Sequence, residues 1–274
     1  MSERRACELV GLWRSVRRYE RSPDQNVELR QALRELAWAK PRIGYRQLYD
    51  RLRRAGWRVN HKRIERLYAL EGLALRRKRR SVKIVCERRP HEIPSTVNRH
   101  WSMDFVHDAL CTGRRFRCLT IIDIKSRYVP AIEAAFSLPG ERVVAVLERL
   151  KQSRGIPEMI TIDNGPEFRS KALKDWARDN HVILDYIEPG KPIQNAFIES
   201  FHATFRQECL DGQWFTDIAD ARIKIEAFRR EYNTDRPHRS IGRRTPAELE
   251  RELTLPVNGG IDMNQADLLT YNWT

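Results

Sequence analysis

Ile160-Thr-Ile-Asp-Asn-Gly-Pro-Glu-Phe168 begins as a strand and stops abruptly. Ile160 and Ile162, with Met159 before them, supply apolar side chains for a core strand. Asp163-Asn164-Gly165-Pro166 is then a run of turn formers. A carboxylate at the end of a core strand, followed at once by a turn, is well placed to face a cleft. Two further acids occupy comparable settings. Asp104 lies in the strand-like His100-Trp-Ser-Met-Asp-Phe-Val106, and Glu199 in the helix-like stretch from Gln194 to Arg206. Thirty-five residues separate Asp163 from Glu199.

Around this stretch the pattern is that of a mixed α/β domain. Three strands are expected near 99–106, 114–124 and 128–136, joined by connections short enough for antiparallel hairpins. An amphipathic helix is expected over 139–154, a strand over 158–162, a helix over 169–180, a strand over 182–187 and the Glu199 helix up to about Leu210. Hairpin strands followed by alternating helix and strand give a mixed five-stranded sheet covered by helices. A helix over 217–233, the loop Tyr232–His238 and a short helix opening at Thr245-Pro-Ala-Glu248 follow.

The first third of the chain differs in charge. Residues 1–90 hold 26 Lys and Arg against 10 Asp and Glu, whereas residues 91–274 hold 25 against 27. The formal net charge of +14 is therefore concentrated in one region, as expected of a surface that meets a polyanion. Residues 3–20 read as two short helices around Gly11, with Ala6, Leu9, Val10, Leu12, Trp13, Val16 and Tyr19 as the apolar set. A helix over 27–40 follows. Residues 44–72 form two helices about Gly56-Trp57, with Asn60 as N-cap of the second. That second helix carries Lys62, Arg63 and Arg66. A glycine turn before a basic helix is the arrangement that docks in a major groove; a plain helical hairpin has the same pattern. Arg76, Arg77, Lys78, Arg79 and Arg80 then form a run suited to phosphate contact. The expected division is a helical DNA-binding region at 1–75, a basic linker at 76–95, a catalytic domain at 96–250 and a tail at 251–274.

Several classes are disfavoured. No apolar run approaches the length of a membrane span, and no signal-peptide-like stretch follows Met1. The five cysteines are scattered, with no C-x-x-C pair, so a zinc site or disulfide framework is not expected and a reducing cytoplasmic setting is.

Asp104, Asp163 and Glu199 point to phosphodiester chemistry. Hard divalent cations take oxygen ligands, and two or three carboxylates suffice to hold Mg²⁺ while leaving positions for water and phosphate. Two ions, Mg²⁺ or Mn²⁺, are the expected cofactor. Asp108 and Asp123 are competitors. Asp123 precedes a Lys-Ser-Arg turn and reads as a local hydrogen-bond acceptor.

Trp-Ser-Met-Asp-Phe-Val at 101–106, Thr-Ile-Asp-Asn-Gly-Pro-Glu-Phe at 161–168 and Gln-Asn-Ala-Phe-Ile-Glu-Ser-Phe at 194–201 resemble the D-D-35-E core of retroviral integrases and bacterial transposases. Arg-Ile-Gly-Tyr-Arg-Gln-Leu at 42–48, Val-Asn-His-Lys-Arg-Ile at 59–64, Tyr-Asn-Thr-Asp-Arg-Pro-His at 232–238 and Thr-Pro-Ala-Glu-Leu at 245–249 extend the likeness. Over about residues 4–250 the chain resembles the B-frame transposase of the insertion sequence three family. The resemblance implies an RNase H-like fold and a Mg²⁺-dependent polynucleotidyl transferase with Asp104, Asp163 and Glu199 as catalytic metal ligands. It further implies that Asn164 and Gly165 shape the loop beside the metal, that Gln194 and Asn195 lie near DNA, and that Arg206 contacts phosphate. The implied partners are element ends, target DNA, further copies of the chain and an upstream-frame protein or fusion, in the bacterial nucleoid. His202-Ala203 departs from the family's common Asn-Gly. The alternative function is a DNA-binding regulator whose catalytic core is silent.

Overall fold

The computed structural model describes residues 2–20, 24–75, 93–188 and 195–254. The expected basic run Arg76–Arg80, Gln194 and most of the expected tail lie outside these residues. Two compact units divide at Ala74 and Leu75.

The first unit is all-helical: α1 (Glu3–Leu9), α2 (Arg14–Arg17), α3 (Val27–Ala39), α4 (Tyr45–Arg54) and α5 (His61–Leu70). Leu29 and Leu33 of α3, Leu48 and Leu52 of α4, and Ile64 and Leu67 of α5 are buried together at helical spacing. Asn60 caps α5 as the sequence suggests, its side chain accepting from Lys62 N–H at 2.9 Å. The expected apolar set of the first two helices is not a core. Leu9 is 71% exposed and Trp13 80%; Cys7 is the only buried side chain in α1, and α2 buries none. Helices of seven and four residues are too short to build a broad apolar face. Polar contact joins them instead, with the Arg18 guanidinium donating to both oxygens of Glu3.

The second unit contains β1 (His100–Ala109), β2 (Arg115–Asp123), β3 (Ala131–Ala135), α6 (Gly140–Arg154), β4 (Met159–Ile162), α7 (Lys171–Asp179), β5 (Ile183–Tyr186), α8 (Ala196–Glu208), α9 (Ile218–Thr234) and α10 (Pro246–Thr254). The five strands form one sheet in the order β3-β2-β1-β4-β5. The pairs β1–β2 and β2–β3 are antiparallel, whereas β1–β4 and β4–β5 are parallel.

Strand periodicity divides the core in two. Trp101 and Met103 of β1, Leu119 and Ile121 of β2, and Ile160 and Ile162 of β4 pack with Val143, Val146 and Leu147 of α6 and Leu173 and Trp176 of α7. Residues of the opposite parity, Val106, Phe116, Cys118 and Ile122, pack with Ile198, Phe201 and Phe205 of α8 and with Ile225 and Phe228 of α9. Asp104 and Thr120 share the parity of that second set.

Local caps fix the helices around the sheet. Ser170 caps α7, accepting from Leu173 N–H at 3.3 Å. Thr245 and Glu248 form a reciprocal capping box at the start of α10. Asn233 of α9 exchanges two hydrogen bonds with the backbone of Val129, and the Arg236 guanidinium grips Glu208 at the end of α8. The Tyr232–His238 motif thus fastens α9 to the sheet and to α8.

Gly140, the first residue of α6, leaves room for the Ser170 cap: an added Cβ would stand 2.0 Å from Ser170 Oγ. Gly140→Ala should therefore lower stability by roughly 1–3 kcal/mol, measured by urea denaturation. An unchanged midpoint would show that the cap moves aside freely.

Candidate active site

The sheet places the first two acids side by side. The β1–β4 register pairs Ser102 with Thr161. Two residues further along these parallel strands lie Asp104 and Asp163, just where β4 ends and β1 continues. Crevices at the carboxyl ends of parallel strands are where α/β folds bind ligands. Glu199 comes from the neighbouring α8, where Ile198 and Phe201 are buried against the sheet and Glu199 is exposed.

Asp104 is half-buried, and Phe105 N–H donates to its Oδ1 at 2.7 Å. Burial pushes its carboxyl up to about 6, opposed by that hydrogen bond and reinforced by the charges of Asp163 and Glu199. The three acids therefore share an electrostatic neighbourhood. Asp163 is also half-buried, its Oδ1 accepting from Gly165 N–H at 2.9 Å. A Cβ at Gly165 would lie 3.0 Å from the same oxygen, so this glycine admits the carboxylate.

The loop behind Asp163 is held from several sides. Asn164 Nδ2 donates to Ile187 O at 2.7 Å, and Arg169 Nη2 donates to Asn164 Oδ1 at 2.8 Å. Glu167 pairs with Arg117, whose guanidinium lies 4.3 Å above the Phe105 ring, itself stacked on Phe168. Both polar ends of Asn164 are thus engaged within the protein. Asn195 was expected near DNA, yet it is only 4% exposed and accepts from Ser102 Oγ of β1. Its amide fastens the start of α8 to the sheet. Arg206 is exposed on α8 and donates to His107 O at 3.0 Å.

Asp123 is the local acceptor that the sequence suggests. Fully buried, it receives hydrogen bonds from Asn98 N–H, Ser126 N–H and Ser126 Oγ. Asp108 accepts from Ala109 N–H at 2.8 Å. In the helical unit Lys62, Arg63 and Arg66 are all exposed on α5, and Arg63 donates to Asn26 Oδ1.

His202 and Thr120 were not selected from the sequence. His202 Nε2 lies 2.7 Å from Thr120 Oγ1, and His202 Nδ1 lies 3.7 Å from Asp104 Oδ2. The departure from Asn-Gly is a signal for His202. Nothing local marks Thr120, since its place opposite Asp104 follows from strand register.

The donor set suits a hard cation, because every acid is an oxygen ligand and Asp104 ionises against its burial first and the charges of Asp163 and Glu199 after it. As the side chains stand, no three His, Cys, Asp or Glu among the described residues are grouped to hold an ion. Phe105 N–H and Gly165 N–H each engage only the first oxygen of Asp104 and of Asp163.

Family models describe the same two units: HTH-like domain matches residues 24–81, and Integrase core domain matches 94–192 and, in a second model, 180–246. The insertion element IS407 31.7 kDa protein of Burkholderia multivorans is 46% identical over 249 residues, covering 90% of each chain. The chain belongs to the insertion-element transposase family with an integrase core. A more distant relative in that family is the putative transposase InsK of the insertion sequence element IS150 from Escherichia coli, 23% identical over 85% of this chain and 87% of that protein. The simian T-cell lymphotropic virus intasome structure contains a chain of similar fold, with a TM-score of 0.54 and 13% identity over 88% of this chain and 80% of that one. The family's RNase H-like sheet is the one built here, and no helix among the described residues is long and apolar enough to cross a membrane.

The Asp104 shift has a measurable sign. Its folded pKa of about 6 lies above the ordinary 3.8, so its contribution to stability is full below pH 3.8 and is lost as pH rises through about 6. Asp104→Asn mimics the protonated acid and should raise stability at about pH 8 by roughly 2–3 kcal/mol. Parent and variant should converge below about pH 4 in urea denaturation; equal stability at the higher pH would contradict the shared charge.

Proposed function

We propose that the chain cuts and joins DNA at Asp104, Asp163 and Glu199 during movement of an insertion element. The observation that carries this reading is the β1–β4 register, which sets Asp104 beside Asp163 at the strand ends; the Asp104 carboxyl, raised by burial and by the charges of Asp163 and Glu199, accords with it. A group of carboxylates at a strand-end cleft is a place for positive charge. The site would hold Mg²⁺ or Mn²⁺, as a pair in this family's expected chemistry, through these three side chains. When bound, such ions lower the pKa of the attacking oxygen and stabilise the leaving one.

The protein's own groups supply position. Gly165 N–H and the Asn164 contacts fix the Asp163 loop, while Asn195 and Ser102 fix the start of α8. In the first reaction the oxygen of water forms a bond to phosphorus at an element end. The 3′ oxygen leaves and takes up a proton. In the second, that 3′ hydroxyl loses its proton and attacks a phosphodiester of target DNA in line, and the displaced oxygen of the target strand leaves. No covalent bond to the protein is needed.

Arg206 is exposed on the same helix as Glu199 and suits phosphate contact. Lys62, Arg63 and Arg66 on the helical unit, with Arg76–Arg80 and Gln194, complete the proposed DNA-binding set. The proposed partners are element ends, target DNA, further copies of this chain in the paired-end complex and an upstream-frame protein, in the bacterial nucleoid.

The test is nicking and joining of the element's terminal repeats in Mg²⁺ or Mn²⁺. Asp163→Asn and Glu199→Gln should each lose at least about a hundredfold in rate, the scale on which removal of one electrostatic stabiliser acts. Affinity for the repeats should stay within about threefold. Full activity in either variant would remove that acid from the site, and equal loss of binding and cleavage would make its role structural.

A further inference from the structure

Arg127 holds a conformation that an arginine rarely takes. Its φ of 63° is left-handed, a region that favours glycine. The turn around it is closed by Arg127 N–H donating to Asp123 O at 2.9 Å and by Asp123 N–H donating to Tyr128 O at 2.8 Å. Its guanidinium carbon lies 3.8 Å from the centroid of the Phe197 ring, and its buried Nη1 has no hydrogen-bond partner among the described residues. Burial lowers the guanidinium pKa from its ordinary value, and Tyr232 and Asp123 offset this only in part. The Asp123 carboxylate is already occupied, accepting from Asn98 and Ser126.

Arg127 lines a pocket of about 490 Å³ on the flank of α8. Buried Phe201 and exposed Ser200 and Ser240 line it too, so it reaches from the core to solvent. Arg236 supplies a second guanidinium, which Glu208 occupies. Among the described residues no acid lines the pocket. Burial first, and then the charges of Arg236 and Arg127, push the ring of His238 on the same wall down to about 3. Positive charge is therefore in excess here, and one donor of Arg127 is unused.

This pocket is distinct from the acid cleft. Successive residues of an α-helix are turned by about 100°. Glu199 and Ser200, both exposed, therefore look out from adjacent flanks of α8. Arg206 lies on the flank of Glu199, whereas Phe197, Ser200 and Thr204 line the pocket. A DNA strand crossing the exposed crest of α8 can meet both.

We propose that Arg127 is the phosphate ligand of a second DNA-binding pocket, beside the three acids and separate from them. A phosphodiester supplies the single negative charge that the guanidinium lacks, and its oxygens accept from Nη1. The attached sugar and base pack against the aromatic wall. The inference rests on the proposed action on DNA, and not on the metal.

The test is DNA binding by the full chain without divalent metal, as monovalent salt is raised. Two duplexes of equal length serve as probes, one carrying the element's terminal repeat and one a scrambled sequence. Arg127→Gln should weaken binding roughly tenfold and reduce the slope of log affinity against log salt by about 0.9, the loss of one phosphate contact. Loss on both probes or on the repeat alone supports the pocket, and the comparison tells whether the phosphate is met on any duplex or only at an element end. Arg127→Lys should keep the parent slope, because the charge is retained. Arg127→Gly, suited to the left-handed backbone, should bind like Arg127→Gln while its urea midpoint stays at or above the parent's. An unchanged slope in Arg127→Gln would overturn the proposal. So would a lowered midpoint in Arg127→Gly, which would make the guanidinium a structural prop. Unchanged DNA binding with an altered oligomeric mass would assign the pocket to a protein carboxylate and equally contradict it. Should Arg127→Gln fail to fold, Arg127→Gly and Arg127→Lys decide. Cleavage separates this site from the acids: an active Glu199→Gln would remove that acid from the catalytic reading and leave the Arg127 slope change standing.

Discussion

The parallel pairing of β1 with β4 is the constraint on which the site depends. Only three residue pairs, from His100↔Met159 to Ser102↔Thr161, define it. A shift by one residue would turn Asp104 or Asp163 towards the α6–α7 core, because side chains alternate faces along a strand. The apolar residues on either side resist that shift: Trp101, Met103, Ile160 and Ile162 are all fully buried on the α6–α7 face. Hydrophobic packing therefore sets the register, and register sets the acids side by side.

Electrostatics opposes this arrangement. Asp104 is buried enough to resist ionisation, and its neighbours add like charge. Among the described residues, the surrounding scaffold compensates with fixed hydrogen-bonded contacts. Backbone N–H groups hold one oxygen of each aspartate, Asn164 and Arg169 clamp the turn, and Asn195 ties α8 to β1. Such sites sacrifice stability for a preorganised charge, which a bound cation would relieve.

Much of this was legible in the sequence because its signals were local. The apolar run before Asp163 and the turn formers after it mark the end of β4, and period-two alternation marks β1 and β2. Asn60 and Thr245 announce their helices, and Asp123 before Ser126 announces a turn acceptor. Non-local relations were hidden. Asn195 reads as a polar residue at an exposed helix start, yet it is buried because Ser102 meets it across the sheet. The apolar side chains from Leu9 to Tyr19 have helical spacing, but spacing does not supply a surface to pack against. Thr120 resembles any β-branched strand residue until register sets it opposite Asp104 and within reach of His202.

The most direct measurement is calorimetric binding of Mn²⁺ to the parent chain and to Asp104→Asn, Asp163→Asn and Glu199→Gln at one pH above 7. The proposed three-carboxylate site predicts that each substitution weakens binding severely while the fold is retained. Parent-like affinity in any folded variant would show that its carboxylate stands outside the site and would contradict the account.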